Sequence, residues 1–284
     1  MSTRFLASLM TIAATAAVVL LAPVFAAGQA PAAAAMTWDP PRTPDGQPDI
    51  QGFWGQRNNI TTYSLVEGEA DRAEHISITG QAAAVGKPVK TPDGKIPYQP
   101  WAAKKAAFHY EQHRHPSKAE FLDPVTRGFL EGVPRINLQG QFQIIQRAGY
   151  VVLLHDYGHT YRVIPLDQRP HLGENIKLWM GDSRGHWEGN TLVVDVTNNN
   201  DQTWFDIVGT FHSDALHMVE RFTYVSRDKI DYEVTIEDPK VYTRPWKMAW
   251  NYGRNPQDEQ WENAVWEGNR ATEVILGNRE TGKK

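Results

Sequence analysis

The chain has 284 residues, a formal net charge of -4 at pH 7 and a hydrophobic fraction of 41%. It contains no cysteine, which excludes thiolate catalysis, thiolate metal ligands and disulfide redox chemistry. Mild acidity without a basic run argues against binding to nucleic acid or to anionic membrane surfaces.

The N-terminus has the layout of a secretory signal peptide. A single positive charge at Arg4 precedes the uncharged apolar run Phe5–Val24, and small residues follow it at the cleavage position. We therefore predict a signal peptide over residues 1–26, a periplasmic or secreted protein, and no stable membrane insertion after processing. The alternative is an uncleaved anchor, because the run approaches the roughly 20 residues that span a bilayer. Residues 27–35 are mostly small, and we predict that they form a flexible tether.

Residues 36–138 predict an irregular N-terminal arm with one helix. Asp49–Trp54 is a candidate short strand. Trp101–Arg114 is rich in Ala and Lys and stops before Pro116, which favours a helix.

For residues 139–284 we predict a β-barrel, which together with the arm forms one globular domain. Short runs rich in Val, Ile, Tyr or Thr alternate with Gly, Asn or Asp turns, a spacing typical of consecutive hairpins. We expect a mainly β fold, an antiparallel lipocalin-like β-barrel, with a two-sheet sandwich as the alternative. The predicted strands are Phe142–Arg147, Tyr150–Tyr157, Thr160–Leu166, Thr191–Thr197, His217–Ser226, Lys229–Glu237, Lys247–Tyr252 and Gln260–Glu267.

One predicted strand carries His217 and Arg221 on the same face, because side chains alternate along a strand. A neutral histidine beside a guanidinium can accept a proton, and the arginine can bind a carboxylate. The alternative is an exposed face with ordinary ion pairs.

A second candidate group lies at the end of the run that begins at Tyr150. His155 and Tyr157 follow apolar residues of the same parity, as at the mouth of a barrel, and Arg162 on the next strand is expected opposite them. A solvated hairpin end is the alternative.

The segment Gly181–Gly189 is rich in turn residues and predicts a loop. It concentrates Asp182, Arg184, His186 and Glu188, and loops at barrel rims often present functional groups. We expect Asp182 to pair with Arg184 and fix the loop. The residues predicted to bind substrate are Arg162, His186, Trp187, His212 and Glu220.

We expect neither a cofactor nor a metal. The chain has no G-x-S-x-G, G-x-G-x-x-G or P-loop pattern. His109 and His113 are four residues apart on the predicted helix, with His115 beyond, but no clear third ligand accompanies them.

Six blocks of the sequence resemble a large group of exported bacterial proteins, most of which have no assigned function. The blocks are TPDGQPDIQGFW, GVPR with FQIIQ, WMGDSRGHWEGNTLVVDV, HSDALHMVERF, VTIEDPKVYTRPW and WEGNR. Relatives carry cysteines near Gly128 and Val265, both absent here, and a histidine where this chain has Trp266. The resemblance implies a loose association with the catabolism of lignin-derived aromatic compounds, including lyase and decarboxylase steps.

Together these observations predict a cofactor-independent lyase, of the decarboxylase type, that acts on a small aromatic acid. Arg184 or Arg221 would bind the substrate carboxylate or phenolate, His217 or His155 would move a proton, and Tyr157 would donate a hydrogen bond. The alternative is a periplasmic protein that binds an apolar or aromatic ligand without turnover. No oligomeric state is predicted.

Overall fold

The computed structural model of the protein describes residues 38–57, 62–66, 87–114, 116–255, 259 and 267–280. The predicted signal peptide and tether lie outside these residues. So does the predicted strand Gln260–Glu267, apart from its last residue.

The described part of the chain contains nine strands and two α-helices. The helices are α1, Pro100–Arg114, and α2, Ala271–Glu280. The strands are β1 Gly52–Gln56, β2 Gln141–Arg147, β3 Tyr150–His155, β4 Tyr161–Pro165, β5 Asp182–Glu188, β6 Thr191–Thr197, β7 His217–Ser226, β8 Lys229–Glu237 and β9 Trp246–Arg254.

These nine strands form one antiparallel sheet in the order β4-β3-β2-β1-β9-β8-β7-β6-β5, which curls into a nearly closed barrel. The predicted antiparallel barrel is confirmed, and the two-sheet sandwich is wrong. The predicted helix of the arm is α1. The helix α2 at the C-terminal end was not predicted.

The strand β1 belongs to the barrel although it precedes the predicted barrel segment. It pairs with β2 through Trp54 and Phe142, and with β9 through Trp54 and Arg254. The indole of Trp54 is fully buried. The predicted boundary at residue 138 therefore places one barrel strand in the arm, because the pairing partners of β1 are distant in sequence.

The segment predicted as a loop at residues 181–189 is the strand β5, so that interpretation was wrong. The strand is polar because its outward positions, including Arg184 and His186, face the surface. Gly185 faces inward, where an added Cβ would lie 2.7 Å from Ile164 and 2.9 Å from Leu166. Glycine therefore allows β4 to pack closely against β5.

The strands β4 and β5 adjoin without a hydrogen-bonded ladder, and we call this junction the seam. The side chain of Arg162 crosses the seam from β4. Its Nη2 donates to Oγ of Ser183 on β5 at 3.0 Å. It also reaches Glu220 on β7, so polar side chains inside the barrel connect the two edges of the sheet.

Candidate functional site

Glu220 is the centre of a polar cluster in the barrel interior. Its carboxylate is fully buried and accepts four hydrogen bonds. Two come from Arg162, at 3.1 and 2.5 Å, and the others come from Asn137 and Tyr232, each at 2.7 Å. Burial disfavours the charge on Arg162, but the Glu220 carboxylate outweighs it and raises the pKa of the guanidinium. The structure thus brings two predicted substrate-binding residues together as a buried ion pair.

His155 lies beside this cluster. Its ring is buried 5.4 Å from the ring of Phe142, and neither ring nitrogen has a hydrogen-bond partner among the residues that the structure describes. Burial, together with the charge of Arg162, lowers the pKa of His155 to about 3. The imidazole is therefore neutral at physiological pH.

Tyr157 lies after β3, close to the buried carboxyl of Glu131. Burial raises the pKa of Tyr157 to about 12, and the Glu131 charge adds to the shift. Burial also raises the pKa of Glu131 to about 8, although Arg135 opposes it. Both groups are therefore neutral at pH 7.

A row of alternating carboxylates and imidazoles crosses the outer wall of the barrel, and we call it the carboxylate–histidine chain. Nδ1 of His171 lies 2.9 Å from Oδ2 of Asp182, and Nε2 lies 2.8 Å from Oδ1 of Asp195. The other oxygen of Asp195 is 2.8 Å from Nε2 of His217, whose Nδ1 is 3.5 Å from Glu237. The chain connects β5, β6, β7 and β8 through a loop histidine.

The electrostatics of the carboxylate–histidine chain favour the charged form of the His217 imidazole. The hydrogen bond to Asp195 raises the pKa of His217 in spite of partial burial, and Glu237 contributes in the same direction. Burial disfavours ionisation of Asp195, but His217 and His171 outweigh it and lower the pKa of that carboxyl. Both shifts favour the form of the pair in which His217 is an imidazolium and Asp195 a carboxylate.

Arg184 holds one end of this chain in place. Its Nη1 donates to Oδ1 of Asp182 at 2.5 Å and to the Ser183 carbonyl at 2.8 Å. Its Nε donates to the Pro170 carbonyl at 3.2 Å. The Asp182–Arg184 pair expected from the sequence is present, and it fixes the loop that carries His171.

Two open clefts flank His171 on the outer wall. The first, which we call the seam cleft, lies beside β5 and has a volume of about 670 Å³. The second, of about 630 Å³, contains His217, Lys177 and Lys240. Residues that line the seam cleft include Arg169, His171, Arg184, His186, Trp187 and Asp195. The seam cleft thus combines cationic groups, one indole ring and the start of the carboxylate–histidine chain.

The remaining predicted residues have other partners. Arg221 donates to Glu188 at 2.7 Å on the exposed surface, and Nε2 of His186 is 3.1 Å from the same carboxylate. His212 is buried, with Nε2 2.7 Å from the Thr203 hydroxyl and its ring stacked on Phe205. The predicted catalytic set is therefore divided between the barrel interior, the segment that follows β3 and the outer wall.

The histidines of α1 do not converge on a common point. His109 is buried, with Nδ1 3.0 Å from the Gly209 carbonyl, and Nε2 of His113 is 3.1 Å from the Tyr63 hydroxyl. His115 lies outside the described residues. No group of three or more His, Asp or Glu side chains within the described ranges is arranged to hold a metal ion. None of the helices in these ranges is long and apolar enough to cross a membrane.

Sequence reasoning missed His171 and Asp195, two residues at the centre of the carboxylate–histidine chain. Asp195 had a signal in the sequence, because it is the only charged residue in the apolar strand β6. His171 had none, since it lies in an irregular loop and meets Asp195 only through the fold.

Comparisons with protein-family models, with curated proteins and with solved structures found no match to this chain.

Proposed function

We propose that the protein is a cofactor-independent lyase of the decarboxylase type, which acts on a small aromatic acid bound in the seam cleft. The observation that carries the proposal is the carboxylate–histidine chain, which reaches this cleft beside Arg184 and Trp187. The resemblance to exported proteins associated with lignin-derived aromatics supports the same substrate class and a periplasmic or secreted location.

The seam cleft offers each substrate group a chemically suitable partner. Arg169 is paired with Asp167 and Arg184 with Asp182, and their remaining guanidinium N–H groups can donate to a carboxylate or phenolate. Trp187 provides an aromatic wall. The side chain of His171 is 26% exposed, so a bound molecule can reach its ring. The volume of about 670 Å³ accommodates a ligand of one or two rings.

The reaction requires little beyond the placement of one proton. The phenolate of the substrate donates electrons through the ring to the reacting carbon, which takes a proton from Nε2 of His171 as the hydrogen bond between Nε2 and Asp195 opens. The bond to the carboxylate then breaks, CO₂ leaves, its electron pair restores the phenolic ring, and His171 regains a proton from solvent. Asp182 and Asp195 orient the ring of His171, and His217 keeps Asp195 in place. Positioned acid–base groups contribute about 10² to 10⁴ in rate.

This proposal keeps Arg184 and His217 from the predicted catalytic set. His155, Tyr157 and Arg221 do not line the seam cleft. His155 is neutral in the barrel interior, Tyr157 is neutral in the segment after β3, and Arg221 is paired with Glu188.

The test is a thermal-shift screen against phenolic acids and lignin-type dimers, followed by mass analysis of each stabilising compound. A product lighter by CO₂ supports the lyase. We expect His171→Gln to lower kcat by about 10² or more while the ligand still raises Tm, and Arg184→Met to raise KM. The matched control is His159→Gln, because His159 forms a surface pair with Glu267 at 3.6 Å and does not line the cleft.

A different result would contradict the lyase. If the stabilising compounds are recovered unchanged, the protein is a binding protein for aromatic ligands. If His171→Gln and His159→Gln have the same kcat, the carboxylate–histidine chain has no catalytic role.

A further inference from the structure

A separate apolar cavity of about 300 Å³ lies between α1 and the turn at residues 205–210. None of the residues that line it belongs to the seam cleft. Its walls are mostly apolar and include Ile96, Tyr98, Ala106, Tyr110 and Val208. The proposed lyase chemistry leaves this cavity without a role.

The walls of this cavity are fixed by buried hydrogen bonds. The carboxyl of Asp206 is fully buried and accepts from the backbone of Leu65 at 3.0 Å. It also accepts from the backbone and hydroxyl of Thr210, at 2.7 and 2.8 Å. On the helix side, Nδ1 of His109 lies 3.0 Å from the Gly209 carbonyl. The cavity is therefore preformed, which lowers the conformational cost of filling it.

The close contact between α1 and the turn depends on Gly209. An added Cβ at Gly209 would lie 2.4 Å from Cβ of His109, and its backbone has φ +97°. Glycine therefore sets the spacing between two walls of the cavity.

The lining determines the class of ligand. An apolar cavity of about 150 Å³ accepts benzene, so about 300 Å³ accommodates one substituted ring or a short branched chain. Among the lining residues that the structure describes, Lys95 alone is charged, and its exposure places it at the opening. The hydroxyls of Ser64 and Thr210 are the other polar side-chain groups apart from the tyrosines.

We propose that this cavity is a second ligand site, which binds a small hydrophobic carboxylate with its apolar part inside and its carboxylate at Lys95. The site is independent of the proposed lyase, because the two cavities share no lining residue.

Titration calorimetry with 4-methylbenzoate, and with toluene as the uncharged probe, tests this site. We expect Ala106→Leu to weaken both ligands at least tenfold, because the larger side chain occupies the cavity. Ala107→Leu, at an exposed lining position, provides a second blocking variant with less demand on the fold. Ala103→Leu is the matched control, since Ala103 is exposed on the same helix and does not line the cavity.

The variant Lys95→Met tests how much the charge of Lys95 contributes to binding, apart from the apolar walls of the cavity. We expect this variant to weaken 4-methylbenzoate by about threefold to fivefold, as for an exposed ion pair, and to leave toluene unchanged. If both blocking variants bind 4-methylbenzoate as the Ala103→Leu control does, the proposal is wrong. If Arg184→Met alone abolishes binding, the ligand occupies the seam cleft and this second site does not exist. Failure of lyase turnover has no effect on either readout.

Discussion

Two buried ionisable side chains, His155 and Glu131, have pKa values shifted in directions that disfavour their charged forms. His155 is held near pKa 3 by burial and by Arg162, and Glu131 is held near 8 by burial. Neither side-chain polar group has a hydrogen-bond partner among the described residues. Each residue therefore couples the folding free energy to pH.

His155 makes the fold sensitive to acid. The unfolded chain binds this proton with a pKa of about 6.5, so stability is lost as pH falls from about 6.5 towards 3. Between pH 7 and pH 5 the loss from this residue is roughly 2 kcal/mol. We expect His155→Leu to remove that part of the pH dependence in urea unfolding at the two pH values. His186→Gln, at an exposed position, is the control, and an unchanged slope in His155→Leu would contradict the assignment.

Glu131 has the opposite effect. Its folded pKa of about 8 lies above the ordinary value of 4.5, so the folded protein retains the proton longer and stability falls as pH rises through this interval. From pH 5 to pH 8 the loss is roughly 3–4 kcal/mol. We expect Glu131→Gln to be more stable than the parent protein at pH 8, as measured by denaturant unfolding. Glu120→Gln, at an exposed glutamate, should not change the profile. Equal stability of the two variants at pH 8 would exclude a role for Glu131.

At the scale of elements, the seam between β4 and β5 depends on side chains. The bond from Arg162 to Ser183 connects the two edge strands, and the ion pair Arg162–Glu220 connects β4 to β7. Gly185 allows the apolar residues Ile164 and Leu166 to approach. The barrel is therefore closed at the seam by contacts between a few packed side chains.

Removal of one partner of this pair should be costly. Arg162→Met leaves the Glu220 carboxylate buried without its cation, and we expect a loss of about 3–5 kcal/mol in the free energy of unfolding. The double variant Arg162→Met with Glu220→Met removes the buried charge as well and should be more stable than the single variant. The control is Lys247→Met, which breaks an exposed pair with Glu233 and should cost less than about 1 kcal/mol. A cost for Arg162→Met no larger than this control would show that the pair does not stabilise the seam.

Elements also differ in how well the sequence predicts them. The alternation of side chains identified β2, β6, β7 and β8 nearly to their ends. It missed β5, whose glycines and charged residues are typical of a turn. The strand is nevertheless stable because it pairs with β6 along its whole length, from Asp182–Thr197 to Glu188–Thr191. Pairing with a neighbour outweighs local propensity at this position.

At the scale of the molecule, the interior of the barrel is occupied largely by its own side chains. The aromatic rings of Phe142, Phe222, Tyr232 and Tyr252 pack together there, and Asn137 reaches Glu220 from the segment at residues 135–137. The seam cleft and the apolar cavity between α1 and the turn at residues 205–210 both lie outside this core. Both proposed sites are therefore accessible without opening the barrel.

The sequence by itself determined the class of fold, most strand positions and the parity of each strand. On β7 it separated His217 and Arg221 from Glu220, and burial confirms that they lie on opposite faces, with Glu220 inside. Only the tertiary structure decided which face is inside, because the alternation of side chains separates the two faces of a strand without showing which of them is buried. The tertiary structure also places His171 beside Asp195 and inserts β1 between β2 and β9. Contacts between residues far apart in the chain depend on strand order and packing, which local patterns do not encode.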